Sequence, residues 1–190
     1  MNWIILTATA ALILIYFWYV AIVSRRNAAQ EAFSGIDVQL KKRTDLVPNI
    51  LKIASRFMEH EKTLLTEITT LRTEVLNAAE ATDRDSTEKR FELEAELERK
   101  LSGLMVTVEN YPDLKSQTNM LEAQRVYADV EEHISAARRS YNAAGRRFKD
   151  SIQIFPGTLI ARVMGLEALP FFEVSKAERA PVNADRYLNS

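Results

Sequence analysis

Hydrophobic positions divide this chain into one solid apolar block followed by a series of periodic seams. From Asn2 to Ser24 no side chain is charged, and Ile4 to Val23 is apolar apart from two Thr. At 1.5 Å per residue the block covers about 30 Å, the thickness of bilayer hydrocarbon. Trp3 near one end, and Tyr16, Phe17, Trp18 and Tyr19 near the other, fall where interfacial aromatics belong, and Arg25 and Arg26 close the segment. A cleaved signal peptide wants a basic leader and a small-x-small pattern before the cut; neither is present, so the block reads as an uncleaved anchor. Positive charge follows it, at Arg25, Arg26, Lys41, Lys42 and Arg43. The expected topology is therefore single-pass in the cell (inner) membrane, N-terminus outside and the remaining domain cytoplasmic.

Beyond the anchor a heptad frame runs from Phe33 to Ala78. One position reads Phe33, Leu40, Val47, Ala54, Glu61, Ile68, Val75, and the other Ile36, Arg43, Ile50, Phe57, Leu64, Leu71, Ala78. All but Glu61 and Arg43 are apolar, which predicts a helix packed along a narrow seam. Read as one continuous helix it is about 70 Å long, bent at Pro48 and ended by Asn77 and the polar run Thr82 to Ser86. Ser86 or Thr87 starts a second helix with apolar positions Leu93, Leu97, Leu101, Leu104 and Val108, and Tyr111-Pro112 stops it. Pro112 either opens a new helix or kinks a continuous one. The frame returns in Met120, Tyr127, Ile134, Tyr141, Phe148, Phe155 and in Ala123, Val130, Ala137, Ala144, Ser151, a ridge of large residues alternating with small ones. Phe155-Pro156-Gly157 is a stop, Thr158 caps a short segment Leu159 to Leu166, and from Ser175 the chain is a polar tail.

Composition narrows this to an all-α protein. Only five Gly and five Pro occur in 190 residues, 47% of the chain is hydrophobic and 27% charged, enough for one anchor and one modest core. Lys and Arg total 25 against 26 Asp and Glu, so no global field draws in nucleic acid. With no cysteine, disulfides, thiolate metal sites and thiol nucleophiles are excluded.

Candidate chemistry is sparse. A di-iron bundle needs an acid three residues before each histidine, and the positions before His60 and His133 hold Phe57 and Val130. Asp129 and His133 share a helix face but have no second pair, and the single glycines form no phosphate loop. No catalytic, cofactor or metal set is expected, and the chain reads as a non-enzyme. Two polar groups of another kind stand out. Arg43 and Glu61 sit in an apolar seam too far apart to pair with each other, so each snorkels to water or meets a charge on another helix, where it would set register or an interface. Arg138, Arg139, Arg146, Arg147 and Lys149 form the densest basic cluster. A solvated helix face is its plain explanation; if this end folds back toward the bilayer, the cluster together with Leu159 to Leu166, Phe171 and Phe172 makes a second lipid contact.

Three stretches together resemble the LemA family of bacterial membrane proteins: Ile36 to Asn49; Tyr111 to Leu121, reading YPDLKSQTNML; and Ala137 to Asn142 followed by Phe155 to Ala161 and Phe171-Phe172-Glu173. Thr44, Met120 and Phe148-Lys149 depart from the pattern at positions that alter seam packing. The resemblance implies a single-span protein carrying an antiparallel, up-and-down bundle of about four helices, and the likeness to magnetosome membrane proteins points to organising membranes. The expected organisation is an anchor over 1–26, a cytoplasmic bundle over 27–174 and a loose tail over 175–190. The expected role is a scaffold that organises or shapes the membrane, with the lipid bilayer and further copies of itself as partners and no nucleic acid. The motive for self-association is a long seam with few residues to cover it. An adaptor or regulator of a membrane protease or other envelope machinery is the alternative.

Overall fold

The computed structural model describes residues 2–79 and 84–172; the described residues are helical with short connections and contain no strand. Helix α1, Asn2–Ala54, is continuous over 53 residues, about 80 Å, so the apolar block and the first seam are one rod. It passes without interruption through the expected boundary between residues 26 and 27. Ile36, Leu40, Arg43, Val47, Ile50 and Ala54 are buried, which is the predicted frame.

The seam does not continue as one straight helix to Ala78. The chain turns after Ala54, where the Met58 amide donates to the Ala54 carbonyl at 3.0 Å. A 3-10 turn over Glu59–Glu61 follows, and α2, Lys62–Ala78, returns antiparallel along α1. Folding back buries Met58, Ile68, Leu71 and Val75 in one cluster with Val47, Ile50 and Ala54, apolar surface that a straight rod would leave in water. The turn contains neither Gly nor Pro, and heptad spacing is the same on both sides of it, so no local signal announced the reversal. Pro48 neither ends α1 nor sits in the turn. It lacks the N–H that would bond the Thr44 carbonyl, and Arg72 of α2 supplies a replacement, Nε to Thr44 O at 3.0 Å. The lower part of the seam is thus covered from within the chain.

Helix α3, Arg84–Val108, begins ahead of the expected Ser86 or Thr87 and packs antiparallel to α2, with Lys100 Nζ 2.5 Å from Glu67 Oε2. Leu97, Leu101, Leu104 and Val108 enter the core. The single turn α4, Pro112–Lys115, buries Leu114 and reverses the chain, so Pro112 marks a reversal rather than a kink. Helix α5, Thr118–Gln153, then runs the length of the bundle antiparallel to α1. Met120, Tyr127, Ile134, Tyr141 and Phe148 are buried as their frame predicts; Phe155, the next in register, is 75% exposed because α5 has already ended. The four long helices α1, α2, α3 and α5 form the expected up-and-down bundle.

Helix α6, Gly157–Met164, starts at Gly157 rather than after a Thr158 cap. It ends at Gly165, whose φ of 61° lets the Leu166 amide reach the Ala161 carbonyl at 3.0 Å. A strap over 166–172 lies back on the bundle. Tyr141 Oη donates to the Pro170 carbonyl at 2.7 Å, and the Asn142 amide exchanges hydrogen bonds with the Phe172 backbone at 2.9 and 3.0 Å. The expected tail, 175–190, lies outside the described residues.

Candidate functional site

Midway along the bundle, α1 places Arg43 on its core face, and the side chain is fully buried rather than snorkelling. Its Nη2 lies 2.5 Å from Glu94 Oε2 and donates to the Glu94 carbonyl at 2.9 Å. Its Nη1 lies 3.1 Å from Glu131 Oε1 and 3.6 Å from Glu98 Oε2. Glu98 is shared with Arg138, whose Nη2 stands 2.5 Å away, while Arg90 pairs with Asp37. The network thus ties α1 to α3 and α5 across the core.

Burial works against the charge of Arg43, but the three carboxylates around it outweigh that cost and hold its guanidinium above its ordinary range. Burial also pushes the Glu94 and Glu131 carboxyls up, and Arg43 pulls each back only in part. Arg90 and Arg138 add to that pull on Glu94, and Arg138 to that on Glu131, without cancelling the effect of burial. Glu94 Oε1 and Arg43 Nε, both buried, have no hydrogen-bond partner among the described residues.

Of this network, Arg43 stood out in the sequence as a charge in an apolar seam, and Arg138 as part of the basic cluster. The partners were legible in one way: carrying the frame Leu97, Leu104 and Leu101, Val108 back by a heptad lands on Arg90 and Glu94, charged residues at core positions. Glu61 falls in the turn between α1 and α2, away from the network.

The basic cluster on α5 is divided. Arg138 is engaged with Glu98 and stacks its guanidinium 4.1 Å from the Phe172 ring centre. Phe172 is itself a core residue, 4.3 Å centre to centre from Phe91, so neither Arg138 nor Phe172 faces lipid. Arg139, Arg146 and Arg147 are exposed, and Lys149 lies over Phe171. His60 and His133 are both exposed, and no group of three His, Cys, Asp or Glu with metal-binding geometry occurs among the described residues. An open cleft of about 400 Å³ between the strap, α1 and the start of α3 is lined by the polar side chains of Gln30, Ser34, Thr87, Tyr141 and Glu167.

A family model for the LemA family matches residues 32–185. Among curated proteins, Protein LemA of Metamycoplasma hominis is 26% identical over 178 residues, covering 92% of this chain and 79% of its own. Magnetosome protein MamQ of Magnetospirillum gryphiswaldense and Magnetosome protein MamQ 2 of Paramagnetospirillum magneticum are each 20% identical over 198 residues, covering 94% of this chain and 73% of theirs.

Proposed function

The chain belongs to the LemA family, and from that premise we propose that it is a non-enzymatic scaffold, anchored in a membrane by the first part of α1, that organises or shapes the bilayer. The observation that carries this reading is α1 itself. Its apolar first half is long enough to cross hydrocarbon, and the same helix enters the bundle with no linker. A force on the bundle therefore reaches the lipid through a rod rather than a tether. Arg43 fixes the register of that rod against α3 and α5, which keeps the bundle at a set height and rotation relative to the span. Its relatives include proteins named as magnetosome proteins, which accords with the membrane-associated reading. The anchored domain lies on the cytoplasmic side of the cell membrane, in accord with the basic residues that follow the span.

A scaffold works as many copies. Cross-linking of the full-length protein in native membranes, followed by sizing in mild detergent, should give species above the monomer. Monomer alone at every cross-linker concentration rules the scaffold out, and a stoichiometric second protein in its place establishes the adaptor.

A further inference from the structure

We infer that α6 and the turn before it form a second membrane contact, lying in the bundle-side leaflet beside the span; the inference rests on α1 being that span. The antiparallel course of α5 brings its C-terminal end back to the start of the bundle, where Phe148, Ile152 and Ala161 form one buried cluster with Ile22 and pack against Trp18. Trp18 and Ile22 lie inside the uncharged stretch that ends at Ser24. Trp18 is thus about 9 Å along the helix on the membrane side of that end. The approach is close: a side chain at Gly157 would come within 1.9 Å of the Ser151 carbonyl and 2.8 Å of Trp18 Nε1.

At that depth α6 has two apolar faces. Gly157 and Ala161, one turn apart, are buried against the bundle. Leu159 and Val163, also one turn apart and about 200° around the helix from the first pair, are 56% and 89% exposed. Ile154 and Phe155, 57% and 75% exposed, extend the outer face into the preceding turn. Four large apolar side chains uncovered within ten residues would be costly in water. Trp18, which the start of α6 approaches, stands in the exposed apolar wall of α1, where its neighbours Tyr16, Phe17 and Tyr19 are also uncovered. What covers one covers the other, and for α1 that is lipid. Arg25 and Arg26 at the end of the uncharged stretch, Arg146 and Arg147 two turns before Ile154 on α5, and Arg162 on α6 are exposed cations that headgroup phosphates would meet. The apolar partners of the basic residues are thus Ile154, Phe155, Leu159 and Val163 rather than Phe172.

The chain has no cysteine, so single sites can be labelled in the otherwise native full-length protein. Val163→Cys and Phe155→Cys, with Leu14→Cys in the span and Leu121→Cys at the far end of the bundle as references, would each carry a bimane fluorophore. The labelled proteins would be reconstituted into vesicles of phosphatidylcholine and phosphatidylglycerol containing lipid spin-labelled near the headgroup or deep in the acyl chain. We expect the shallow label to quench Val163 and Phe155 at least threefold more than Leu121, and the deep label to quench Leu14 most. Quenching at Val163 and Phe155 no greater than at Leu121, with Leu14 quenched, overturns the inference and leaves the anchor standing. Absence of quenching at Leu14 removes the anchor and the inference with it. Protection of Val163 from aqueous iodide without quenching by lipid assigns the patch to a second copy of the chain and overturns the inference.

Discussion

Arg43 is a residue whose energetic role depends on its neighbours more than on its own charge. A guanidinium removed from water is stabilised by the acids of α3 and α5 and by the Glu94 carbonyl, and those acids are in turn wholly or partly buried around it. Arg43→Met should therefore cost about 3–5 kcal/mol, because it removes the guanidinium paired directly with the buried Glu94 carboxylate. Arg43→Met with Glu94→Met should recover most of that loss in urea unfolding of the full-length protein; an additive double variant would mean the two side chains act independently. The pH dependence has a definite sign. Burial raises the folded-state Glu94 carboxyl above its ordinary value of 4.5, so its contribution to stability is greatest below that value and is lost as pH rises through the folded-state value. The stability of the native protein minus that of Glu94→Gln should accordingly increase as pH falls from 8 toward 4.5. A difference that stays flat or shrinks over that range would refute the assignment.

Among the elements, the α1–α2 hairpin joins two features that separately look like defects. Pro48 removes a backbone donor from α1, and Arg72 is a cation partly buried on α2; the Thr44 carbonyl left unpaired by the first accepts from the second. Arg72→Met should cost about 1–3 kcal/mol in the native background, the cost of an unsatisfied buried carbonyl. In Pro48→Ala the restored amide serves Thr44, so Arg72→Met should then cost much less. A double-mutant cycle by thermal melting reads the difference, and equal costs in both backgrounds would dissolve the link. The sequence showed that Pro48 frees a carbonyl, but the donor comes from 28 residues further on and is found only after the chain has turned. The same limit explains the misread length of the first helix. Periodicity reports which residues share a face, and that face is preserved through a reversal that keeps heptad phase.

For the whole molecule, the membrane-proximal end matters because α1 serves two environments with one helix. Inserting a single Ala between Arg26 and Asn27 rotates everything upstream by about 100° relative to the bundle. Trp18 and Ile22 would leave the cluster with Phe148, Ile152 and Ala161, while the Arg43 network downstream keeps its register. Hydrogen exchange at residues 157–164 should rise by an order of magnitude or more with that around Arg43 unchanged. Unchanged exchange at 157–164 would mean that α6 holds its place without α1. Much of this architecture was readable in advance: an apolar block long enough to span hydrocarbon, seams of helical period, a stop at Phe155-Pro156-Gly157, and one charge where a core residue belonged. These follow from composition and spacing, since the cost of exposing apolar surface and the pitch of a helix are local properties. Three-dimensional packing alone decided where the long seam doubles back, which acids surround Arg43, and that α6 returns to Trp18. Each of those depends on which distant surfaces meet, and heptad phase is the same for every partner a helix could have.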